Sequence, residues 1–596
     1  MSSPSDKSLN AQVDRLRLEL HELKQEQGAL DVRIGDYLLT RLEQLGVRYI
    51  FGVPGDFNLG FLDLVEDHPT IKWVGNCNEL NAAYAADGYA RVKQQLGVVI
   101  TTFGVGELSA INGIAGAFSE MVPVLHIVGV PNTSQQKAKP MLHHTLGDGR
   151  FDAYQKAAEQ FTIAQVQLDD AETAAKDIDR VLEACITKAR PAYLTVPTDI
   201  AFKKIKSDRL KIPLSDALAP NDPHTEQTVI DEIAQLVEKA QGSVVILVDA
   251  CAKRHHCQHE VALLAKKTGF PVFSSPMGKT AVSETYERYG GIYVGSLSRP
   301  DIKDAVESAK LILSVGALKS DFNTGGFTYK VPRGKTVELH STHTAIRYAV
   351  YPEIAMKELL PKLTARLSAG SQSYKIPAFT SKLPEESDSK ISQAWFWPKM
   401  GTFFQPKDVL LAETGTSSFG ILDVALPKDA IFEAQILWGS IGWTVGSTLG
   451  AAVAAREMGL GRTILFIGDG SLQLTVQELS TMLREGLKPI IFVLNNSGYT
   501  IERWLHGKHR KYNDIANWNW TALLGTLTTS PEVKHKSYTV HTKDELTALL
   551  EDSKFAKCEE GMQLVEVMMD QLDAPRALLA QAELSNTSNV YAEDLS

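Results

Sequence analysis

At 596 residues the chain is too long for one ordinary domain, so we expect three or four domains, each able to bury its own core. Hydrophobic residues make up 44% and charged residues 22%, which is typical of a globular protein. The formal net charge of −10 argues against nucleic acid or an anionic membrane surface as a general partner. No apolar run reaches the ~18 residues of a membrane-spanning helix. The five cysteines form no CxxC pair, so we predict neither a zinc ribbon nor a disulfide framework, and we expect a cytoplasmic location.

Residues 1–30 predict a helical extension ahead of the first domain. They lack the apolar core of a signal peptide, and their acidic residues argue against a transit peptide. Apolar residues follow a 3-4-3 spacing, with one more a heptad later: Val13, Leu16, Leu20, Leu23 and Leu30. This pattern allows two interpretations, a short coiled-coil seam between chains or an amphipathic helix packed on its own subunit.

Three α/β blocks follow, at residues 31–206, 226–368 and 391–575. In each block short apolar strands alternate with helical patterns, which predicts a parallel sheet with helices on both faces. The fold class we expect is therefore α/β, with three doubly wound parallel-sheet domains. Polar, proline-bearing linkers are predicted at 207–225 and 369–390, and a helical and then polar tail at 576–596. The predicted strands are YIFGV, GVVITTFG, VLHIVGV and AYLTVP, then SVVILVDA, PVFSSP, LILSVGA and TVELHS, then DVLLAET, TILFIGDG, PIIFVLNN and MQLVEVMM.

The segment Thr463–Glu502 carries the clearest chemical pattern of the third block. One apolar strand ends in GDG, a helical pattern follows, and the next apolar strand ends in NN. Because open parallel sheets bind ligands at the C-terminal ends of their strands, Asp469 and Asn496 are expected at that edge. Their oxygens are hard ligands suited to Mg²⁺, and the glycines let backbone N–H groups approach a phosphate. The pattern predicts a site for Mg²⁺ and a phosphate group.

A second chemical pattern opens a helix of the first block with the sequence NELNAAYAADGYAR. Its acid, Glu79, stands before a run of small residues. On its own, this acid is explained by the helix dipole, which favours a carboxylate in the first turn. The surrounding string, however, closely resembles the cofactor-activating segment of the thiamine diphosphate enzymes, which implies a buried acid whose raised pKa lets it share a proton with a ring nitrogen of the cofactor.

Together with further strings along the chain, these segments resemble the thiamine diphosphate (ThDP) enzymes, and among them the fungal pyruvate decarboxylases. The further strings are FGVPGDFN, TTFGVGELSAINGIAGAF, LHHTLGDG, AETGTSSFG, LWGSIG and NNSGYTIE. The resemblance covers residues 31 to 580. It implies three domains of the ThDP-enzyme type and decarboxylation of pyruvate to acetaldehyde and CO₂ through an enamine on the cofactor.

The resemblance also implies which residues hold ThDP and Mg²⁺. Mg²⁺ is expected to bind Asp469, Asn496 and the carbonyl of Gly498. Ile441 is expected beneath the cofactor, where a stiff β-branched side chain holds its two rings together. The full set of expected cofactor-binding residues is Glu79, Thr414, Thr416, Gly439, Ser440, Ile441, Asp469, Gly470, Ser471, Asn496, Gly498 and Ile501.

Five catalytic residues are implied in the same way: Asp56, Glu79, His143, His144 and Glu502. Glu79 is expected to hydrogen-bond the pyrimidine ring and promote ionisation of the cofactor, while the other four handle protons around the substrate. The family builds each active site from the first block of one subunit and the third block of another. A homo-oligomer, at least a dimer and as a dimer of dimers a tetramer, is therefore expected, with a small 2-oxo acid as substrate.

Two alternatives stay open at this point. The first is a decarboxylase for phenylpyruvate or indolepyruvate; Trp438, Thr414, Ile501 and Trp504 would narrow the pocket against them, although such pockets discriminate by only ~1–3 kcal/mol per methylene. The second is a protein that builds filaments or larger assemblies through its N-terminal helix. The complete set of expected catalytic residues argues against a purely structural role.

The middle block raises two further hypotheses in the string VDACAKRHHCQHE. Cys251 and Arg254 match the segment where yeast-type members of the family bind a second, activating pyruvate. The family pattern has His after Glu120, whereas this chain has Met121, which puts the same relay of activation in question. A metal site is the other hypothesis, although no second ligand pair of zinc-site spacing accompanies its candidates, His255, His256, Cys257 and His259.

Overall fold

The computed structural model describes residues 31–368 and 374–588, together with residues 12, 13, 15, 16, 18 and 19, which are helical. Most of the predicted N-terminal seam, and the end of the tail from residue 589, lie outside the described residues. The chain divides into two compact units, with the boundary between Ala217 and Leu218. Within the described part of the chain, no helix has the length and apolar character needed to cross a membrane.

The first unit contains one six-stranded sheet and a two-stranded ribbon. Its strands are β1 Asp31–Arg33, β2 Tyr49–Gly52, β3 Lys72–Gly75, β4 Gly97–Thr102, β5 Val124–Val130, β6 Ala164–Gln167, β7 Ala192–Pro197 and β8 Lys204–Lys206. Its α-helices are Ile34–Gln44, Leu59–Glu66, Glu79–Lys93, Val105–Ser119, Thr133–Ala138, Ala153–Ala158 and Ala171–Lys188. The sheet has the order β3-β2-β4-β5-β7-β6 and is parallel throughout, while β1 and β8 pair antiparallel. Every residue of β4 and β5 is buried, as expected for central strands covered on both faces.

The topology of this sheet creates a switch point between β2 and β4. The chain leaves β2 toward β3 on one side, and β4 returns on the other side of β2. A crevice therefore opens beyond the C-terminal ends of these two strands, where ligands bind in open α/β sheets. Asp56 follows β2 and Gly104 follows β4, so both lie at this crevice.

The second unit contains two sheets, of which the middle one has seven strands. Its strands are β9 Val244–Val248, β10 Val272–Ser274, β11 Tyr289–Ile292, β12 Leu311–Val315, β13 Thr336–Leu339, β14 His343–Ile346 and β15 Ala349–Pro352. Its α-helices are Pro223–Ala240, Ala250–Arg254, Gln258–Thr268, Pro300–Glu307, Asp321–Thr324 and Met356–Arg366. The order is β11-β10-β9-β12-β13-β14-β15, parallel up to β13 and antiparallel in the last two pairs. The switch point lies between β9 and β12.

The C-terminal sheet has six parallel strands. They are β16 Val409–Ala412, β17 Ile431–Glu433, β18 Thr463–Gly468, β19 Ile490–Asn495, β20 His535–Val540 and β21 Met562–Met568. The α-helices are Gln393–Gly401, Thr416–Gly420, Trp443–Met458, Asp469–Thr475, Glu478–Arg484, Thr500–Leu505, Trp520–Thr526, Lys543–Glu551, Ser553–Ala556 and Arg576–Ser588. The order β17-β16-β18-β19-β21-β20 places the switch point between β16 and β18. Glu413 and Asp469 are the first residues after these two strands.

The predicted fold class is confirmed: three mainly parallel sheets alternate with helices along the chain. The structure differs in two details. The single helix expected after GDG consists of two short helices, Asp469–Thr475 and Glu478–Arg484. The middle sheet ends in an antiparallel extension, β14 and β15, which the sequence pattern did not indicate. The domain boundaries stay a prediction.

Candidate active site

Three predicted catalytic side chains meet at the switch point of the first sheet. His143 Nε2 lies 2.7 Å from Asp56 Oδ2, and His144 Nε2 lies 4.0 Å from Asp56 Oδ1. The two imidazole rings contact each other edge to face, with 4.6 Å between centroids. Half of the Asp56 side chain is exposed, as are 59% of His143 and 29% of His144. The cluster is therefore open to solvent and able to exchange protons with it.

The two histidines are held in place by their neighbours. The ring of His143 stacks on Phe57 at 5.1 Å between centroids. His144 has a positive φ of 66°, and its carbonyl accepts a hydrogen bond from the Tyr154 hydroxyl at 2.7 Å. A Cβ at Gly104 would lie 2.2 Å from that same carbonyl, so only glycine allows the two backbones to approach this closely. The strained backbone of His144 is thus fixed from both sides, as is common at functional sites.

Glu79 is the first residue of helix Glu79–Lys93, whose start is capped by Asn78 accepting from the Asn81 N–H at 2.8 Å. Its carboxylate lies against the first turn of helix Val105–Ser119, because a Cβ at Gly106 would be 3.0 Å from Glu79 Oε1. Burial raises the pKa of Glu79 above the ordinary value. A carboxyl group that keeps its proton more readily suits a residue expected to share a proton with a ring nitrogen.

Glu107 is a supporting residue that the sequence analysis missed. It accepts from the Gly104 N–H at 2.8 Å and from the Tyr193 hydroxyl at 2.7 Å, and burial raises its pKa to about 7. These bonds fix the turn after β4 on which His144 rests. The available signal was an acid at the third position of a helix that starts with glycines, the place of a capping acid.

The predicted metal ligands come together at the C-terminal ends of β18 and β19. Asp469 accepts the backbone N–H of Gly470 at 2.8 Å and that of Gly498 at 3.1 Å. The side-chain amide of Asn496 donates to Asp469 Oδ1 at 3.3 Å and to the Gly498 carbonyl oxygen at 2.9 Å. Its oxygen accepts from Thr500 Oγ1 at 2.7 Å.

This arrangement fits a divalent cation. The Asn496 amide donates to Asp469 and to the Gly498 carbonyl, and a half turn of the amide would instead direct its oxygen, together with theirs, toward a bound cation. Burial raises the pKa of Asp469 to about 6, so its charge lacks the compensation that a cation would supply. The donors are one carboxylate, one amide oxygen and one carbonyl, a set that Mg²⁺ accepts while keeping waters or phosphate oxygens in its remaining positions.

The expected cofactor residues of the third block surround the loop between β17 and helix Trp443–Met458, residues 434–442. Thr414 donates from Oγ1 to the Gln435 carbonyl at 3.1 Å, and Ser440 N–H donates to Gln435 Oε1 at 2.8 Å. Gly439 and Gly442 have positive φ values of 62° and 88°, which turn the loop. Gln435 was missed from the sequence because nothing in its spacing marks it.

Glu413 is the second missed residue of this region. It is buried and accepts from Thr414 N–H at 2.9 Å, from Gly442 N–H at 3.2 Å and from the Thr444 hydroxyl at 2.5 Å. Burial raises its pKa to about 7. Glu413 thereby ties the end of β16 to the end of the 434–442 loop. Its neighbour Thr414 stands in a motif used for the resemblance, which was the available signal.

The region fits a polar ligand such as a diphosphate-bearing cofactor. Gln435 Nε2 and Ser417 Oγ are buried and have no hydrogen-bond partner among the described residues. A Cβ built at Gly415 or Gly468 would meet nothing within 4 Å, so both backbones border open space. Buried donors without partners next to open space are what a polar ligand would satisfy.

The remaining expected residues lie at the same end of the C-terminal sheet. Thr416 begins helix Thr416–Gly420, and Gly470 and Ser471 lie in the first turn of helix Asp469–Thr475. Ile441 is half-buried. Ile501 is also half-buried and Glu502 is exposed, both on helix Thr500–Leu505 directly after the Asn496 segment.

The regulatory candidates are buried. Cys251 is fully buried on helix Ala250–Arg254, and Arg254 Nη2 lies 3.6 Å from Glu433 Oε2. Glu120 is paired with Arg91 Nη1 at 3.2 Å. The metal hypothesis for His255, His256, Cys257 and His259 gains no geometric support. Over the described ranges, the one group of three His, Cys or acidic side chains close enough to share an ion is Asp56, His143 and His144.

Comparison with known families matches each of the three blocks to a domain of the same family of enzymes. The N-terminal thiamine pyrophosphate-binding domain of thiamine pyrophosphate enzymes matches residues 32–156, and their central domain matches residues 230–364. Their C-terminal thiamine pyrophosphate-binding domain matches residues 414–567. Thiamine pyrophosphate is another name for ThDP, so the expectation of ThDP as cofactor is confirmed.

Curated relatives extend over nearly the whole chain. A pyruvate decarboxylase of Candida glabrata is 47% identical and one of Aspergillus fumigatus 46%, each covering 94% of this chain and 100% and 98% of the relative. Pyruvate decarboxylase isozyme 1 of Saccharomyces cerevisiae is 46% identical, covering 94% of this chain and 99% of the relative. The chain therefore belongs to the thiamine pyrophosphate enzymes and, within them, to the family of the fungal pyruvate decarboxylases.

Proposed function

We propose that the chain decarboxylates pyruvate without oxidation, to acetaldehyde and CO₂, using ThDP held through Mg²⁺. Relatives of that name at 46–47% identity support the substrate. The observation that carries the proposal is the Asp56–His143–His144 cluster, with His143 Nε2 at 2.7 Å from Asp56 Oδ2. Two imidazoles and a carboxylate beside one crevice are suited to the proton transfers that follow loss of CO₂.

Each part of the site has a defined task in this reaction. The chemistry that ThDP supplies when bound is a nucleophilic carbon and a sink for the electrons left behind by CO₂. Glu79 holds a proton next to the pyrimidine ring, a role that its raised pKa supports. Asp469, Asn496 and the Gly498 carbonyl would hold Mg²⁺, which would neutralise the charge of the diphosphate.

On the substrate side, His143 and His144 donate protons to the oxygen and carbon atoms that become basic during the reaction. Asp56 orients His143 by the contact at 2.7 Å. Glu502, exposed on its helix, serves proton transfer and release of acetaldehyde. The 29–59% exposure of these histidines lets them recover protons from solvent between turnovers.

The assembly and location belong to the same proposal. In the family each active site combines the first block of one subunit with the third block of another. We therefore propose a homo-oligomer built as a dimer of dimers, located in the cytoplasm, with domains at 31–206, 226–368 and 391–575. Light scattering of the protein with and without ThDP and Mg²⁺ tests the assembly; a monomer under both conditions would contradict it.

The activity test uses purified protein with ThDP and Mg²⁺. Acetaldehyde released from pyruvate is measured by coupling to alcohol dehydrogenase, and phenylpyruvate and indolepyruvate serve as comparison substrates. Glu79→Gln is expected to lower turnover by about 100-fold or more while the protein stays folded, since it removes the proton-sharing carboxyl group. Near-wild-type turnover in this variant would sink the mechanism, and faster turnover of an aromatic substrate would overturn the choice of pyruvate.

A further inference from the structure

The middle block covers the outer edge of strand β17. The backbone N–H of Phe432 donates to Thr280 Oγ1 at 3.1 Å, and the Phe432 carbonyl accepts from Lys253 Nζ at 2.8 Å. An edge strand otherwise exposes such groups to water or to another chain. Two side chains of the middle block thus complete the hydrogen bonding of this edge.

Lys253 also pairs with Glu433, the last residue of β17. Its Nζ lies 2.5 Å from Glu433 Oε1, and both side chains are 3% exposed. Arg254 Nη2 lies 3.6 Å from the other carboxylate oxygen. A buried ion pair contributes little net stability, because the cost of removing both charges from water offsets their attraction. The role of this pair is therefore better explained by where it holds the chain than by the stability that it adds.

Glu433 directly precedes the 434–442 loop. Two residues further on, Gln435 accepts from Thr414 Oγ1 at 3.1 Å through its carbonyl and from Ser440 N–H at 2.8 Å through Oε1. Thr414 and Ser440 are both expected to bind the cofactor. The path of the chain at Glu433 therefore sets where Gln435 stands, and Gln435 sets the shape of the loop.

We propose that Lys253 is a positioning residue for cofactor binding. Its ion pair with Glu433 and its hydrogen bond to Phe432 hold the start of the 434–442 loop, so that Gln435 presents the loop in the shape that ThDP requires. The inference rests on the proposed function, because it assumes that this loop contacts ThDP. Preorganisation of this kind acts on affinity by lowering the ordering that binding demands.

The test measures the dissociation constant of ThDP at saturating Mg²⁺, by calorimetry on the full chain freed of cofactor. Lys253→Met removes the amine but leaves Glu433 beside Arg254, so no carboxylate is buried alone. It is expected to weaken ThDP binding about tenfold, and Lys253→Arg, which keeps a cation and donors, to restore most of the affinity. With ThDP saturating, KM for pyruvate is expected to stay within about twofold of wild type.

A matched control exists at the same junction. Lys279 is buried with Glu284 at 2.9 Å and donates to the Val424 carbonyl at 2.7 Å, and neither contact involves the 434–442 loop. The double variant Lys279→Met/Glu284→Gln is expected to lower thermal stability yet keep wild-type affinity for ThDP. If it weakens ThDP binding as much as Lys253→Met does, the effect is general loosening and the inference is overturned. Should Lys253→Met not fold, Glu433→Gln tests the same pair.

Two further outcomes separate this inference from the proposed function. Wild-type affinity for ThDP in a folded Lys253→Met variant overturns the positioning role alone. Absence of ThDP binding in the wild-type chain at saturating Mg²⁺ overturns the proposed function and this inference together.

Discussion

The middle and C-terminal sheets have the same kind of switch point, and they fill it differently. In both, the strand before the switch is followed by a buried acid, Asp249 after β9 and Glu413 after β16. Asp249 accepts from Ala250 N–H at 2.7 Å and from Leu318 N–H at 2.8 Å, and it also accepts from Ser275 and Asn323. Glu413 is similarly bonded by residues of its own crevice.

The difference lies in the residue that follows the second strand of each switch point. After β12 comes Gly316, where a Cβ would be 2.4 Å from the Ala252 nitrogen, so helix Ala250–Arg254 fills that crevice with protein. After β18 comes Asp469, which lies beside the Asn496 amide, and a Cβ at the preceding Gly468 would meet nothing within 4 Å. Topology provides a crevice in each sheet, and the single residue after the strand decides whether protein or ligand occupies it.

Asp469→Asn tests the open crevice and should have the largest effect. The variant removes the one negative charge of the expected metal site while keeping its size. We expect decarboxylation to fall by about 1,000-fold or more and Mg²⁺-dependent binding of ThDP to be lost, since charge neutralisation is what the site offers the cation. Turnover within tenfold of wild type, measured with folding verified by circular dichroism, would show that Asp469 does not hold the metal.

His144→Ala tests the third crevice, at the switch point of the first sheet. Turnover should fall about 100- to 1,000-fold because a proton donor is lost, whereas ThDP affinity stays near that of wild type. The thermal midpoint should hardly change, because the side chain is partly exposed. A large drop in the midpoint would mean that the ring supports the fold rather than the reaction. His340→Ala, in the stacked His340–His343 pair of the middle block, is the matched control and should leave turnover unchanged.

The sequence predicted central strands well and edge strands poorly, for a physical reason. All twelve predicted strand strings correspond to observed strands, whereas nine described strands were missed: β3, β6, β11, β15, β17 and β20 at sheet edges, β14 beside β15, and β1 and β8 of the two-stranded ribbon. An edge strand is covered on fewer sides, so it needs no continuous apolar run; β20, with the sequence HKSYTV, buries only its last residue fully.

The residues of the candidate site divide in the same way, into those that the sequence predicted and those that it missed. Residues that touch ligands stand in motifs, so Asp56, His143, Asp469 and Asn496 could be chosen in advance. Glu107, Glu413 and Gln435 act by supporting other residues, such as Tyr193 for Glu107 and Gly442 for Glu413. Only the folded chain brings these partners together, so the signals at Glu107 and Glu413 mark the residue but not its partner.

Gly316→Ala tests the closed crevice of the middle sheet. Gly316 has a φ of +71°, and a Cβ there meets backbone, so we expect the variant to lose about 4 kcal/mol of stability from strain and overpacking together. Gly459→Ala is the matched control. It has a φ of +63° with nothing within 4 Å of its Cβ, so it should lose only about 1–2 kcal/mol. Equal losses of thermal stability in the two variants would argue that the Gly316 crevice is not tightly filled.

Both crevices have a buried acid after the strand that precedes the switch point, and Glu413→Gln tests the one in the C-terminal sheet. The effect of this variant depends on pH. Burial raises the pKa of Glu413 from 4.5 to about 7, so the folded chain keeps a proton that the unfolded chain releases near pH 4.5. Between these values the unfolded state binds fewer protons, and the wild-type chain should therefore lose stability as pH rises, on the order of 3 kcal/mol in all. Above about pH 7 both states are ionised, and no further loss should come from this residue.

Glutamine cannot titrate, so the stability of Glu413→Gln should lack this component. The thermal midpoint of wild type relative to the variant, with cofactor removed, should fall from pH 5 to pH 7 and then stay level. A constant difference over that range would mean that Glu413 is ionised throughout, and that its hydrogen bonds compensate its burial. In that case the hydrogen bonds of Glu413 would satisfy its carboxylate as fully as four donor groups satisfy that of Asp249. Only Asp469 would then distinguish the open crevice from the closed one.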